Sequence, residues 1–157
     1  MLALVVEDRG AGWSDLRICN GADQLTLEWI SDINDPWGDL ARAALVIVTG
    51  GFETTVKFEF EPQMMSFAIE RGFRDEGAAW INRPRIRIFD RGPHGKLNAG
   101  HFFETKLRDT DEFGQAVLKA LYSLSVKQTS RTSFGSQGFP HRAMHALDAA
   151  LTHEQPA

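Results

Sequence analysis

The chain has 157 residues, of which 43% are hydrophobic and 24% are charged, and its net charge is −4. This length suits one domain with a substantial core, and the composition excludes disordered and fibrous proteins, while the acidic total disfavours nucleic-acid binding. The single cysteine, Cys19, excludes an internal disulfide and a zinc site built from several thiolates, and we expect it to be a small buried side chain.

The beginning of the chain is predicted to form strands joined by turns. Residues 2–6 are an apolar run that predicts a strand; they lack the pattern of a signal peptide, so we expect a cytoplasmic protein. After a turn at residues 9–14, apolar and polar residues alternate on both sides of Asn20 and Gly21. This pattern indicates a hairpin, with a turn longer than two residues. The alternation places Trp29 on the same face as Leu27.

Residues 36–49 carry the clearest helix signals. Asp35 is predicted to be the N-cap, and Pro36 suits the first helical position, where a missing N–H costs nothing. Gly50 and Gly51 supply a left-handed stop. Apolar residues recur at helical spacing and predict one buried stripe, namely Trp37, Leu40, Ala41, Ala44, Leu45 and Val48.

Alternating apolar and polar residues predict four further strands. They lie around residues 54–60, 66–70, 83–88 and 103–107, with turns at 62–63 and 92–95. Antiparallel strands joined in this way form a meander with one buried face and one solvated face. On the solvated face we expect Ser66, Ala68 and Glu70, as well as Arg83, Arg85 and Arg87.

Two more helices complete the predicted fold. Asp109 can cap a helix whose buried stripe runs from Phe113 to Leu124, and residues 140–157 form a short C-terminal helix and tail. Residues 128–139 are rich in Ser, Thr, Gly and Gln, which indicates a linker or mobile loop. The sequence therefore predicts an α+β fold: an antiparallel meander of about five to seven strands packed against two main helices, with residues 1–127 as one domain.

A metal-dependent activity is one candidate chemistry. His141, His145 and Asp148 are spaced to share one face of the last helix, and two imidazoles with a carboxylate can hold a metal ion. The glutamate of a His-Glu-x-x-His motif is absent, however, and histidine pairs at this spacing arise easily by chance. A solvated helix face accounts for the same residues, so we expect no metal or other cofactor.

A row of arginines offers another candidate site. Arg83, Arg85, Arg87 and Arg91 would project from one face of a strand and could hold phosphate groups of a nucleic acid or a small ligand. Glutamates on neighbouring strands offer a simpler reason for the row, because cross-strand Arg–Glu pairs stabilise a solvated sheet face. The glutamates concerned are Glu59, Glu61 and Glu70.

Charge is distributed unevenly along the chain. Residues 1–80 contain 14 acidic and 6 basic side chains, whereas residues 81–157 contain 7 acidic and 11 basic ones. Residues 23–39 include five acids and neither lysine nor arginine. Such a field attracts a basic partner, although acids that simply occupy caps and loops would give the same pattern.

Several segments together resemble small bacterial proteins of α+β type. They are Leu-Glu-Trp-Ile-Ser-Asp at residues 27–32, Asp-Pro-Trp-Gly-Asp-Leu at 35–40, the glycine pair at 50–51, the strand at 56–61 that ends in Glu-Pro, and the helix at 113–124. Some proteins of that kind look like immunity proteins of contact-dependent growth inhibition and related polymorphic toxin systems. The resemblance covers about residues 25–125, rests on caps and core positions, and carries over no catalytic residue.

The resemblance implies a non-enzymatic protein that binds a cognate toxin domain and blocks its active site or substrate groove. An acidic surface suits this role, because toxins that cut nucleic acid have basic clefts. Exposed aromatic side chains such as Trp37 or Trp80 would serve as anchors, although Trp37 also belongs to the predicted buried stripe of the first helix. The predicted partner-binding residues are Asp32, Asp35, Asp39, Glu59, Glu61 and Trp80.

Overall fold

The structure is a computed structural model that describes residues 1–60, 63–77, 79–91, 101–127 and 139–153, without the side chain of Arg91. Several predicted features lie outside these residues. They are Glu61, the turn at 92–95, the segment 128–138 of the predicted linker, and the tail from residue 154.

The described residues form an α+β fold with antiparallel sheets, as predicted. The strands are β1 (Leu2–Gly10), β2 (Trp13–Asn20), β3 (Asp23–Ser31), β4 (Glu53–Glu59), β5 (Met64–Glu70), β6 (Phe73–Arg74), β7 (Trp80–Ile81), β8 (Arg85–Arg91) and β9 (Phe103–Lys106). The helices are α1 (Pro36–Val48), α2 (Thr110–Lys127) and α3 (His141–His153). Within this part of the chain the strands are divided among three sheets, ordered β1-β2-β3, β4-β5-β8-β9 and β6-β7, where the sequence suggested one meander.

The three-stranded sheet is built from two tight hairpins. The first turn lies at residues 11–12, where Ala11 and Gly12 both have positive φ angles of 54° and 84°. The second turn is also only two residues long, because Asn20 pairs directly with Asp23. The prediction of a longer turn there is wrong: Gly21 adopts φ 62°, which lets the chain reverse in two residues.

A bulge in β3 overturns the predicted position of Trp29. Glu28 and Trp29 together stand opposite Asp15, so β3 has one extra residue at this point. Trp29 adopts φ 59°, and its amide donates a hydrogen bond to Asp15 Oδ1 at 3.0 Å. The extra residue reverses the alternation, so Ile30 is buried and Trp29 is 50% exposed. The expectation that Trp29 shares the buried face of Leu27 is wrong.

The four-stranded sheet is the predicted meander, with the small β6-β7 hairpin inserted between β5 and β8. Its inner face is apolar, as expected. Its outer face differs from the prediction at β5, since Ser66, Ala68 and Glu70 are all buried. For Glu70 the cause is the neighbouring strand, because Arg85 and Arg87 of β8 both pair with its carboxylate.

The helix α1 begins and ends where the sequence predicts. Asp35 caps it by accepting a hydrogen bond from the Gly38 amide at 3.1 Å, and Pro36 follows at the first position. At the other end Gly50 has φ 108°, and the Gly51 amide donates to the Val46 carbonyl at 2.7 Å. These contacts fix the path by which the chain leaves α1 towards β4.

One hydrophobic core joins the two larger sheets and all three helices. A chain of ring contacts, with centroids 5.8–6.1 Å apart, runs through Trp37, Phe58, Phe67 and Phe113. The apolar side of α3 enters the same core through Leu147 and its neighbours. Among the described helices, none combines the length and apolar character needed to span a bilayer.

Candidate protein-binding surface

The three residues considered as a candidate metal site, His141, His145 and Asp148, do not gather into one. His145 is exposed on α3. The ring of His141 packs against the ring of Phe139, with centroids 4.8 Å apart. Within the ranges that the structure describes, no three His, Cys, Asp or Glu side chains are close enough to share a metal ion. Cys19, expected to be buried, is only half-buried in β2.

The arginine row is engaged by the protein itself. Arg85 Nε lies 2.5 Å from Glu70 Oε2, and Arg87 Nη2 lies 2.6 Å from Glu70 Oε1. Arg83 donates to the Leu107 carbonyl at 2.7 Å. The side chain of Arg91 lies outside the described part of the chain. Arg85 and Arg87 therefore form cross-strand Arg–Glu pairs, both with Glu70, as the simpler interpretation of the row expects. The three described arginines are engaged in internal contacts and do not form a row that is free to bind phosphate groups.

Asp32 is buried beneath the surface on which it was predicted to lie. Only 3% of the residue is exposed. Its carboxylate accepts hydrogen bonds from Ser14 Oγ at 3.1 Å and Trp37 Nε1 at 3.2 Å. Burial raises the pKa of Asp32 from 3.8 to about 6, against these hydrogen bonds, which favour the charged form. Asp32 therefore stabilises the buried indole of Trp37 through a hydrogen bond, and its carboxylate is not exposed for contact with a partner.

The acids at the start of α1 are paired with Arg42, which follows Asp39 by one helical turn and Asp35 by two. Arg42 Nη2 lies 2.7 Å from Asp39 Oδ1 and 3.2 Å from Asp35 Oδ2. Asp35 is in addition the helix cap. The acid-rich segment at residues 23–39 is thus less negative at its surface than its composition indicates.

The remaining two predicted contacts lie apart from that segment. Glu59 is half-buried at the end of β4, whereas Trp80 in β7 is 49% exposed. The indole of Trp80 stacks on the ring of Phe52, with centroids 5.5 Å apart and planes inclined by 26°. Phe52 is itself 52% exposed. We call this pair, Phe52 and Trp80, the aromatic platform.

Local structure holds the aromatic platform in place. The Arg71 amide donates to the Phe52 carbonyl at 2.8 Å, and the Arg71 guanidinium donates to the carbonyls of Gly51 and Ile47. Arg71 therefore ties the segment before β4 to the end of α1. A Cβ added at Gly72 would meet the Trp80 ring at 2.6 Å, so only glycine allows the indole to lie so close to the backbone here.

Acidic side chains flank the aromatic platform. Glu53 follows Phe52 directly, while Asp75 and Glu76 lie in the turn of the β6-β7 hairpin that carries Trp80. All three are exposed. Over the described residues, Glu53 and Glu76 form no ion pair with a basic side chain. Arg74, which is also exposed, stands opposite Trp80 in the hairpin. The combination is a large apolar contact with charged side chains close beside it, among which the acids outnumber Arg74.

No family model, curated protein or solved structure matches this chain. The physical properties of its surface are therefore the guide to its function.

A second exposed aromatic group offers a comparison with the aromatic platform. Trp29 packs edge-to-face on Trp13, with ring centroids 6.4 Å apart, and lies under the Arg9 guanidinium at 4.2 Å. Arg9 also pairs with Asp15 at 2.6 Å. One face of the Trp29 ring is therefore already in contact with a charged side chain of the same protein.

Sequence reasoning selected Trp80 but missed Phe52. The helical stripe ends before Phe52, and the strand alternation was read from Thr54 onward, so neither pattern included Phe52. The available signal was a large apolar residue directly after a Gly-Gly helix stop, where burial by the preceding helix is not expected. That signal does not reveal the contact with Trp80, 28 residues later, because the contact depends on the tertiary fold.

Proposed function

We propose that this chain is a non-enzymatic, immunity-like protein that neutralises a cognate toxin domain by binding to it directly. The observation that carries the proposal is the aromatic platform, two half-exposed rings stacked on one another and fixed by Arg71 and Gly72. Tryptophan is enriched among the residues that dominate interface energy, and an ordered side chain loses little entropy on binding.

Charge around the aromatic platform indicates the kind of partner. Glu53, Asp75 and Glu76 would favour a basic surface, and a toxin domain that acts on nucleic acid has such a surface in its substrate cleft. Binding there would cover the cleft and block access of the substrate. The complex should weaken as ionic strength rises, because these carboxylates are exposed and screened by salt.

The proposed contact surface keeps Trp80 from the residues that the sequence predicted to bind the partner, but it does not include the acids Asp32, Asp35 and Asp39. Trp80 is its centre and Phe52 its second anchor. Asp35 and Asp39 lie at the start of α1, whereas Phe52 follows its end, and the helix itself is about 18 Å long. With Asp32 buried and those two acids paired to Arg42, the negative contribution comes from the platform's own flanks.

Co-expression tests the proposal. The C-terminal domain of the secreted protein encoded directly upstream should stop growth when expressed alone, and growth should return when this chain is present. The two proteins should then purify together. A domain that is harmless alone, or that stops growth equally in the presence of this chain, contradicts the proposal, as does the absence of such an upstream gene.

A further inference from the structure

Among the described residues, no strand pairs with the outer edge of β1. β1 is the end strand of its sheet, and its pairing with β2 is regular from Leu2 to Asp8. The Leu2 amide donates to Glu112 Oε1 of α2 at 2.6 Å, so it points away from β2. Because antiparallel strands alternate between inward and outward backbone groups, the N–H and C=O of Leu4 and Val6 also point outward.

A groove lies between this edge and α2. Its volume is about 560 Å³, and its walls are residues 1–6 and one side of α2. The α2 wall is lined by small side chains, Ala116, Ala120 and Ser123, which leave room beside the strand. An exposed strand edge next to an open groove is the arrangement that accepts an additional strand.

The groove is basic along its α2 wall. Lys119 and Lys127 of α2 line it and are exposed. Arg108, just before α2, also lines the groove but pairs with Asp109 at 2.7 Å. The acid in the same wall, Glu112, has both carboxylate oxygens engaged, by the amides of Leu2 and Arg108. Among the described residues, neither Lys119 nor Lys127 forms an ion pair. The groove therefore combines backbone hydrogen-bonding capacity with two lysines, Lys119 and Lys127, whose positive charge exceeds the single negative charge of Glu112.

We propose that this groove binds an extended, acidic peptide segment of a partner protein, which pairs with β1 as a fourth strand of the first sheet. The outward groups of Leu4 and Val6 would form the backbone ladder, and carboxylates of the peptide would meet Lys119 and Lys127. Alternate peptide side chains would pack on Ala116 and Ala120. A helix could not satisfy the edge, because its own N–H and C=O groups are already paired.

Charge favours such a segment over a second copy of β1. A second copy of β1 is a weaker match, because its two acids, Glu7 and Asp8, lie together at one end of the strand beside Arg9, whereas residues 1–6 carry no acidic side chain. The site lies on a different surface from the aromatic platform and does not rest on the proposed toxin-binding function. The groove would be a second binding site, at which backbone hydrogen bonds from β1 hold a linear segment of a partner protein.

The probe is a synthetic peptide of about twelve residues in which valine and glutamate alternate, a length that spans a typical strand. In NMR titrations it should shift the amide signals of Leu4 and Val6 and of the α2 wall. A valine–lysine peptide of the same length should produce no such shifts. The double variant Lys119→Glu/Lys127→Glu should bind the acidic peptide about tenfold more weakly or worse.

Two control variants distinguish binding in this groove from a general charge effect and from binding at the aromatic platform. Lys57→Glu makes the same kind of charge change at an exposed position on β4 and should alter affinity by less than about twofold. Trp80→Ala should leave peptide binding intact, whatever its effect on a toxin domain. Shifts confined to other surfaces, no binding at millimolar peptide, equal binding of the lysine peptide, or self-association through β1 that the acidic peptide does not compete with would each overturn the proposal.

Discussion

Glu70→Gln is expected to lower the free energy of unfolding by about 3 kcal/mol. Glu70 is 8% exposed and bridges Arg85 and Arg87 across neighbouring strands. Glutamine keeps the shape of the side chain but removes the negative charge. Arg85 then keeps only the more distant Glu104, at 3.6 Å, and Arg87 loses the carboxylate that it pairs with. Breaking a buried pair by removing one partner costs on the order of 3–5 kcal/mol, and the remaining exposure of the arginines places this case at the lower end.

The matched control is Asp39→Asn, which removes a carboxylate from an exposed ion pair with Arg42. Exposed pairs contribute roughly 0–1 kcal/mol, so its unfolding free energy should stay within that range of the unsubstituted protein. Urea unfolding at neutral pH measures both variants. A loss of less than about 1 kcal/mol for Glu70→Gln would show that the arginines are stabilised without Glu70.

Asp32→Asn is expected to remove a pH-dependent loss of stability. Because burial raises the pKa of Asp32 to about 6, the folded protein binds the proton more tightly than the unfolded chain does. The stability contributed by this bound proton is fully present below pH 3.8, and it is lost as pH rises through about 6. Asparagine can keep a carbonyl acceptor for Ser14 and Trp37 and has no proton to lose.

The measurement compares the two proteins at pH 4 and pH 7 by urea unfolding. The unfolding free energy of Asp32→Asn minus that of the unsubstituted protein should be about 2 kcal/mol larger at pH 7 than at pH 4. Taking this difference cancels the titration of other groups. A difference that is the same at both pH values would mean that Asp32 titrates as an ordinary exposed carboxyl.

Local signals in the sequence predicted much of the fold. The N-cap Asp35 and the Gly50-Gly51 stop determined the limits of α1 within a residue. Alternation in β4 and β5 identified the inner residues Val56 and Phe67, because a strand with one buried face exposes the other. These predictions succeeded where the controlling interaction lies within a few residues.

The failures depend on contacts between distant residues. Trp29 turned outward because Asp15 on the neighbouring strand stabilises a bulge. Glu70 became buried because arginines of β8 cover it. The polarity of a residue in the sequence does not show which neighbour will shield it, so exposure was misjudged at both positions.

The same limit applies to the candidate site. An acid-rich segment was expected to be the docking surface, but Asp32 is buried and Asp35 and Asp39 are paired with Arg42. The composition of a segment gives the number of its charged residues, but it does not show which of them are buried or form ion pairs. The aromatic platform joins Phe52 to Trp80 across two elements, and only the fold brings them together.

Binding of the toxin domain by two tryptophan variants tests the central claim most directly. Trp80 and Trp29 are 49% and 50% exposed, so Trp29→Ala is a control matched in residue type and exposure. In calorimetric titrations with the proposed toxin partner, Trp80→Ala should weaken binding at least tenfold, while Trp29→Ala should change affinity by less than about threefold. Unchanged affinity for Trp80→Ala, or a larger loss for Trp29→Ala, would contradict a partner surface centred on the aromatic platform.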